Sequence, residues 1–318
     1  MIPFLTQPSL AVGPLTIHAF GVIVAAAAWA GLELARRRFR RLGLDSQVGE
    51  GMAWYALGGG FVGAHLFSLL FYFPQKLAQN PLLLFKLWED ISSFGSMLGG
   101  LLGIALYLWF KAPHISRAER WAYLDVAAFA FPVSLAIGRI ACSLAHDHPG
   151  TLTRFPLAVS LESEAARAYI TGVYQGAGRL AEVPPVPLLA HLGFHDLGWY
   201  EFLYLGIAVV PLTFLVERRQ RATAVASPGG TFLALFILLY MPVRFGLDFL
   251  RVGDVRYAGL TPAQWVAGLM LLALPAVWRR RPRALAEGPP RSSRGRGQVP
   301  VGGSAGKTPD GAGPQAEA

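Results

Sequence analysis

Charge is scarce in this 318-residue sequence. Asp, Glu, Lys and Arg make up 15% of it, against about 25% in a typical soluble domain. Hydrophobic residues reach 53% and the mean hydropathy is +0.43, which excludes an ordinary soluble enzyme. A single cysteine excludes an intramolecular disulfide and leaves the redox compartment open. No Lys or Arg precedes the first apolar run, so the charged start of a cleavable signal peptide is missing. No internal repeat is visible, which counts against a transporter built from inverted halves. The formal net charge of +9 does not point to nucleic acid. The basic residues sit in short blocks beside apolar runs, a placement that suits anionic lipid head groups and membrane topology.

What is present is a series of long apolar segments, near 16–35, 52–73, 93–110, 121–142, 198–216, 230–250 and 262–278. Each is close to the roughly 20 residues of a spanning helix. Basic blocks follow the first (Arg36, Arg37, Arg38, Arg40, Arg41), third (Lys111, Arg117, Arg120), fifth (Arg218, Arg219, Arg221) and seventh (Arg279, Arg280, Arg281, Arg283). All fall on one side of an alternating path, and that side is the cytoplasm by the positive-inside rule. The fold class is therefore all-α: a polytopic transmembrane helical protein of about seven helices, N-terminus outside and C-terminus cytoplasmic. Residues 1–283 form the transmembrane domain. Within it, 143–197 make an extracytoplasmic cap and 74–92, with Trp88, Glu89 and Asp90, an interfacial segment. Residues 284–318 lack large apolar side chains and read as a disordered cytoplasmic tail.

Charge inside a membrane is costly and marks function. The sixth segment ends Tyr240-Met-Pro-Val-Arg244-Phe-Gly-Leu-Asp248-Phe-Leu-Arg251. At about 100° per residue these four polar positions share an arc of roughly 80° on one helix face. Guanidinium forks suit phosphate, and a carboxylate between them would hold both in place. The plainer reading is a snorkelling ion pair at the helix end, which Arg244, about two turns further in, does not fit. Arg139 lies among apolar neighbours at the end of the fourth segment. His146, Asp147 and His148 follow it, groups able to move a proton near neutral pH, or simply wet in an outer loop. Glu201, just inside the fifth segment, is a candidate partner for one of the arginines. The His-x-His spacing, with His195 and Asp196, also permits a metal site, a weak pattern. Cys142 is either a nucleophile or a small packing residue. Gly58, Gly59, Gly60, Gly63, Gly95, Gly99, Gly100 and Gly103 allow close helix contact. Ser92-Ser93-Phe94-Gly95-Ser96 offers a helix N-terminus to a phosphate.

Several of these residues together resemble one family. Gly138-Arg139 with Gly150 beyond it, the Tyr240…Arg244…Asp248…Arg251 helix, His18-Ala-Phe20-Gly21 and Gly95-Ser-Met-Leu-Gly99-Gly100-Leu-Leu-Gly103 are similar, in order, to the prolipoprotein diacylglyceryl transferases. The likeness covers roughly residues 16–278. It implies an enzyme of the bacterial inner membrane that moves a diacylglyceryl group from phosphatidylglycerol to the lipobox cysteine of a prolipoprotein signal peptide. Glycerol phosphate leaves, and neither cofactor nor metal is used. By position, Arg139 and Arg244 would bind the phosphate, supported by Arg251; Tyr240 and Glu201 would line the substrate site. Asp147 and Asp248 stand where the family usually has Glu. Phe20 replaces a usual Tyr, Leu98 a usual His, and Ala145-His146 a usual Asn-Gly or Ala-Gly. With Leu98 in place of that His, His146 or His148 is expected to handle the proton. The alternatives are a divergent paralogue with another lipid or acceptor, a zinc-dependent membrane hydrolase using His146, His148 and His195, and a non-enzymatic transporter or lipid-binding protein.

Overall fold

A computed structural model of the protein describes residues 1–13, 15–87, 91–222 and 229–282. The expected tail at 284–318, together with Arg283, Trp88, Glu89 and Asp90, lies outside the described residues. The chain opens with a hairpin, β1 (Ser9–Val12) on β2 (Leu15–His18). Then come α1 (Ala19–Arg41), α2 (Ser46–Phe67), a short α3 (Pro74–Gln79), α4 (Ser93–Leu106) and the long α5 (Arg117–Ala145). The segment that follows α5 carries β3 (Pro149–Thr153), β4 (Val159–Ser160), α6 (Glu164–Gly176), α7 (Val186–Leu189) and β5 (Gly193–Asp196). The last helices are α8 (Leu197–Tyr204), α9 (Val210–Ala222), α10 (Thr231–Leu247) and α11 (Pro262–Arg280).

Among the described residues, six helices are long and apolar enough to cross a bilayer: Ala19–Arg41, Ser46–Tyr72, Ser93–Lys111, Arg117–Ala145, Leu197–Ala222 and Thr231–Leu250. The protein is a polytopic helical membrane protein. Helices α2 and α4 are pressed together through their glycines. A Cβ at Gly99 would sit 2.2 Å from the Gly59 carbonyl oxygen, and one at Gly63 2.6 Å from that of Gly95. Backbone lies directly against backbone there, the geometry that small residues permit between helices in lipid. Gly99→Leu is therefore expected to split this pair and lower the Tm by several degrees, measured by thermal unfolding in detergent.

Besides the amino-terminal hairpin, segment 143–197 adds a second departure from an all-helical plan. Strand β5 lies between β3 and β4 in an antiparallel sheet, and Ile2 pairs in parallel with Val159 at its edge. Helix α6 covers the sheet, burying Leu161, Ile170, Tyr174 and Phe194. A backbone bridge from Gly150 to Arg251 ties β3 to the end of α10. This places the sheet over the ends of α5 and α10 that carry the polar residues singled out in the sequence.

The opposite ends of these helices hold a second buried ionic group. Arg38 of α1 is 5% exposed, stacked between the rings of Phe129 and Phe232 at 4.4 and 4.5 Å. It donates to Glu217 of α9 at 2.7 Å, and Arg41 and Arg221 reach the same carboxylate. Asp125 of α5 accepts the Phe232 amide at 2.7 Å and so caps α10. The Arg36–Arg41 block, expected from the sequence to sit at the membrane surface, thus sends one member into the protein interior.

Candidate functional site

Three helices converge on one buried cluster. Arg139 comes from α5, where the chain continues helical to Ala145, and Glu201 from the second turn of α8. Tyr240 and Arg244 stand one turn apart on α10, and Asp248 follows it in a 3-10 turn. Arg139, Glu201, Tyr240, Arg244 and Asp248 are all 2% exposed or less. Glu201 is the hub: it meets Arg139 Nε at 2.9 Å and accepts from Arg244 NH1 at 2.6 Å and from the Tyr240 hydroxyl. Arg139 also donates NH2 to Tyr240 at 3.2 Å. Arg244 turns its other fork arm to Asp248 at 2.7 Å, and the Arg244 guanidinium lies 5.4 Å from the Phe94 ring. Two guanidiniums and two carboxylates cancel in formal charge, which makes such a group tolerable out of water.

The donors are not equally committed. Arg139 NH1 makes only long contacts, 3.6 Å to Cys142 Sγ and 3.4 Å to His148 Nε2, and thiol sulfur is a weak acceptor. Arg244 Nε is buried with no hydrogen-bond partner. These are the N–H groups most easily turned to an incoming anion.

The two histidines diverge. His146 is the left-handed C-cap of α5, with φ 50°, which swings its ring away from the arginines. It binds Asp196 at 2.7 Å and the Leu5 carbonyl at 3.1 Å, and stacks on Phe4 with centroids 4.3 Å apart. Both ring nitrogens are engaged there, and Asp196 in turn caps α8. His148 instead faces the cluster: Nδ1 contacts Asp147, and Nε2 points at Arg139. A carboxylate on Nδ1 fixes the tautomer that leaves Nε2 free to accept a proton.

Asp147 keeps 39% of its side chain accessible. Desolvation raises its carboxyl, but His148, by charge and hydrogen bond, and then Arg139 and Arg251 outweigh this and hold it below the usual aspartate value. The folded value thus lies below the unfolded one of about 3.9. The pair contributes stability that is fully present above that pH and is lost as pH falls through the folded value. Asp147→Asn should therefore flatten the loss of Tm on acidification between about pH 5 and pH 3, read by thermal scans.

Arg251 departs from its expected place. Beyond Leu247 the helix tightens into a 3-10 turn and then ends, with Arg251 extended at φ −66°, ψ 139°. Its guanidinium leaves the face shared by Tyr240, Arg244 and Asp248 and pairs with Asp254 at 3.0 Å. The other Asp248 oxygen accepts from Thr261. Thr261 and Gln264, both fully buried, were not singled out by their chemistry, yet Thr261-Pro-Ala-Gln264 is a capping-box pattern. Asp254 carried no signal. Ser92 binds the Gly95 amide of its own helix at 3.3 Å.

The trio of metal ligands in the alternative hydrolase reading, His146, His148 and His195, does not assemble. His195 bonds Tyr200 at 2.9 Å and His146 faces Asp196. The ligating atoms that come together are those of Cys142, Asp147 and His148. Arg139 NH1 lies against both the sulfur and the imidazole, so a fixed positive charge stands where a cation would bind.

The family model described as prolipoprotein diacylglyceryl transferase matches residues 8–279. The chain belongs to that family. Among its relatives is the phosphatidylglycerol–prolipoprotein diacylglyceryl transferase of Chromohalobacter salexigens, 28% identical over 290 residues, covering 88% of this chain and 94% of the relative. A protein of the same name from Xylella fastidiosa is 29% identical over 283 residues, covering 85% and 88%. The Xanthomonas oryzae protein so named is 28% identical over 281 residues, covering 85% and 86%. The family match spans every residue of the buried cluster.

Proposed function

We propose that the protein transfers a diacylglyceryl group from phosphatidylglycerol to the lipobox cysteine thiol of a prolipoprotein, releasing glycerol phosphate. It works without a metal, in the bacterial inner membrane. With α11 as a seventh crossing beside the six apolar helices, the basic blocks put the N-terminus and the cap over 143–197 outside and the C-terminus in the cytoplasm. The observation that carries this reading is the pair of fully buried guanidiniums on one carboxylate, Arg139 and Arg244 on Glu201, beside the His148–Asp147 pair.

The chemistry follows from these groups. His148 Nε2 takes the proton of the substrate thiol, and the thiolate is the nucleophile. It attacks the diacylglyceryl carbon that bears the phosphate. A sulfur–carbon bond forms, the carbon–oxygen bond breaks, and its electron pair leaves on glycerol phosphate. Arg139 NH1 and Arg244 Nε stabilise the charge that develops there, with Tyr240 and Glu201 fixing both guanidiniums in advance. The proton on His148 passes to the leaving phosphate. Asp248 orients Arg244, and Arg251 supports from the rim. His146 holds the amino-terminal segment and the end of α5.

The test is a transfer assay with purified protein, phosphatidylglycerol and a lipobox peptide bearing a free cysteine. A diacylglyceryl thioether, formed at the same rate with and without chelator, is expected. No product beside an active reference enzyme overturns the assignment. Product lost on chelation would favour the metal-dependent reading instead.

A further inference from the structure

Along the first half of α10, before the residues of this cluster, a groove of about 540 Å³ runs between α9, α10 and α11. That volume lies within the roughly 300–1,000 Å³ of small-molecule sites. Its walls are Val216, Ala234, Leu235, Leu238, Leu274, Pro275 and Trp278, with Thr231 and Arg279 as the polar members. From Thr231 to Leu238 it extends along α10 for about 10 Å, at 1.5 Å per residue. Thr231 opens α10 and Leu238 is the last of its residues in the groove, so along α10 the groove stops two residues before Tyr240 and about 9 Å before Arg244.

The charge around the groove is one-sided. Arg279 lines it, Arg280 and Arg281 follow on the chain, and the Arg281 guanidinium lies 3.3 Å from the centroid of the Trp278 ring. On α9, Val216 of the groove precedes Glu217, on which Arg38, Arg41 and Arg221 converge. Three guanidiniums face two carboxylates there, Glu217 and Asp125, and the side chains of Arg41 and Arg221 remain 38% and 56% accessible. A slot walled by hydrocarbon with a cationic mouth matches one class of membrane molecule, an acyl chain carrying an anionic phosphate.

We propose that this groove holds one acyl chain of an anionic phospholipid, with its phosphate at Arg279, in a lipid site separate from the transfer centre. The lipid fills the cleft between α9, α10 and α11 and neutralises the excess charge there. It is a bound constituent rather than a substrate.

Native mass spectrometry of the full-length protein, after delipidation and incubation with phosphatidylglycerol or phosphatidylcholine, tests this. Wild type should retain phosphatidylglycerol in preference to phosphatidylcholine. Leu238→Trp, which fills the groove with an indole, should retain one phosphatidylglycerol fewer, with transfer activity kept. Arg279→Gln should lower the preference for the anionic lipid about tenfold while leaving the groove open. Circular dichroism melts of both variants check that the fold is intact. The proposal is overturned if both folded variants hold as many lipids as wild type, or if wild type binds the two lipids equally. A groove closed by a second copy of the chain, seen as a dimer that Leu238→Trp dissociates, also overturns it. Lipid retention is read independently of turnover, so failure of the transferase assignment would leave this result interpretable.

Discussion

Arg244→Ala is expected to abolish measurable transfer and to destabilise the protein at the same time. Arg244 is the shared partner of Glu201 at 2.6 Å and Asp248 at 2.7 Å, and it is 1% exposed. Its removal leaves two carboxylates around one remaining guanidinium. Breaking a buried pair from one side costs about 3–5 kcal/mol, and losing one preorganised donor to a developing charge costs about 10²–10³ in kcat. The two effects separate with Arg244→Lys. The ammonium keeps the charge, so most of the stability should return, but a point charge does not restore the fork between Glu201 and the phosphate. Rates from the peptide assay and Tm values for the three proteins measure this. Full activity in Arg244→Lys would mean that only charge matters at this position.

The second large effect is expected at His148. His148→Gln keeps a polar side chain of similar reach but cannot take a proton, and should lower kcat by about 10²–10⁴. Raising the concentration of preformed thiolate, by supplying the peptide at higher pH, should recover part of the loss. His146→Gln is the informative contrast. Its ring binds Asp196 and the Leu5 carbonyl, so the variant should lose stability while keeping most of kcat. Were His146→Gln to lose kcat as His148→Gln does, and higher thiolate to recover it, the proton-handling roles of the two histidines would be exchanged.

The two histidines also show where sequence reading stops. They are separated by one residue in an apparently wet loop, and nothing in their order assigns them to opposite sides of a helix end. The left-handed turn at His146 does that, and Asp196, 50 residues on, captures the ring. The arginines were legible because spanning helices make charge conspicuous and helical spacing gathers Tyr240, Arg244 and Asp248 on one face. Arg251 was misplaced because that spacing holds only while the helix continues, and it tightens at Asp248. Thr261 and Asp254 belong to the connection into α11, whose return onto Asp248 is tertiary geometry. Arg38 was hidden by its company: among five arginines in six residues, no local signal tells the buried one from those in water.

Arg38 also constrains how the chain is made. Its carboxylate partner lies 179 residues downstream, and Phe129 and Phe232, which flank its guanidinium, come from α5 and α10. While the ribosome is still synthesising the middle of the protein, α1 is in the membrane with a charge that has no counterion and no aromatic shelter. It must sit shallow, its guanidinium in the head groups, until α9 and α10 emerge. Then it can sink and lock. The first helix made is thus expected to be among the last to reach its final depth, once Glu217 is in place.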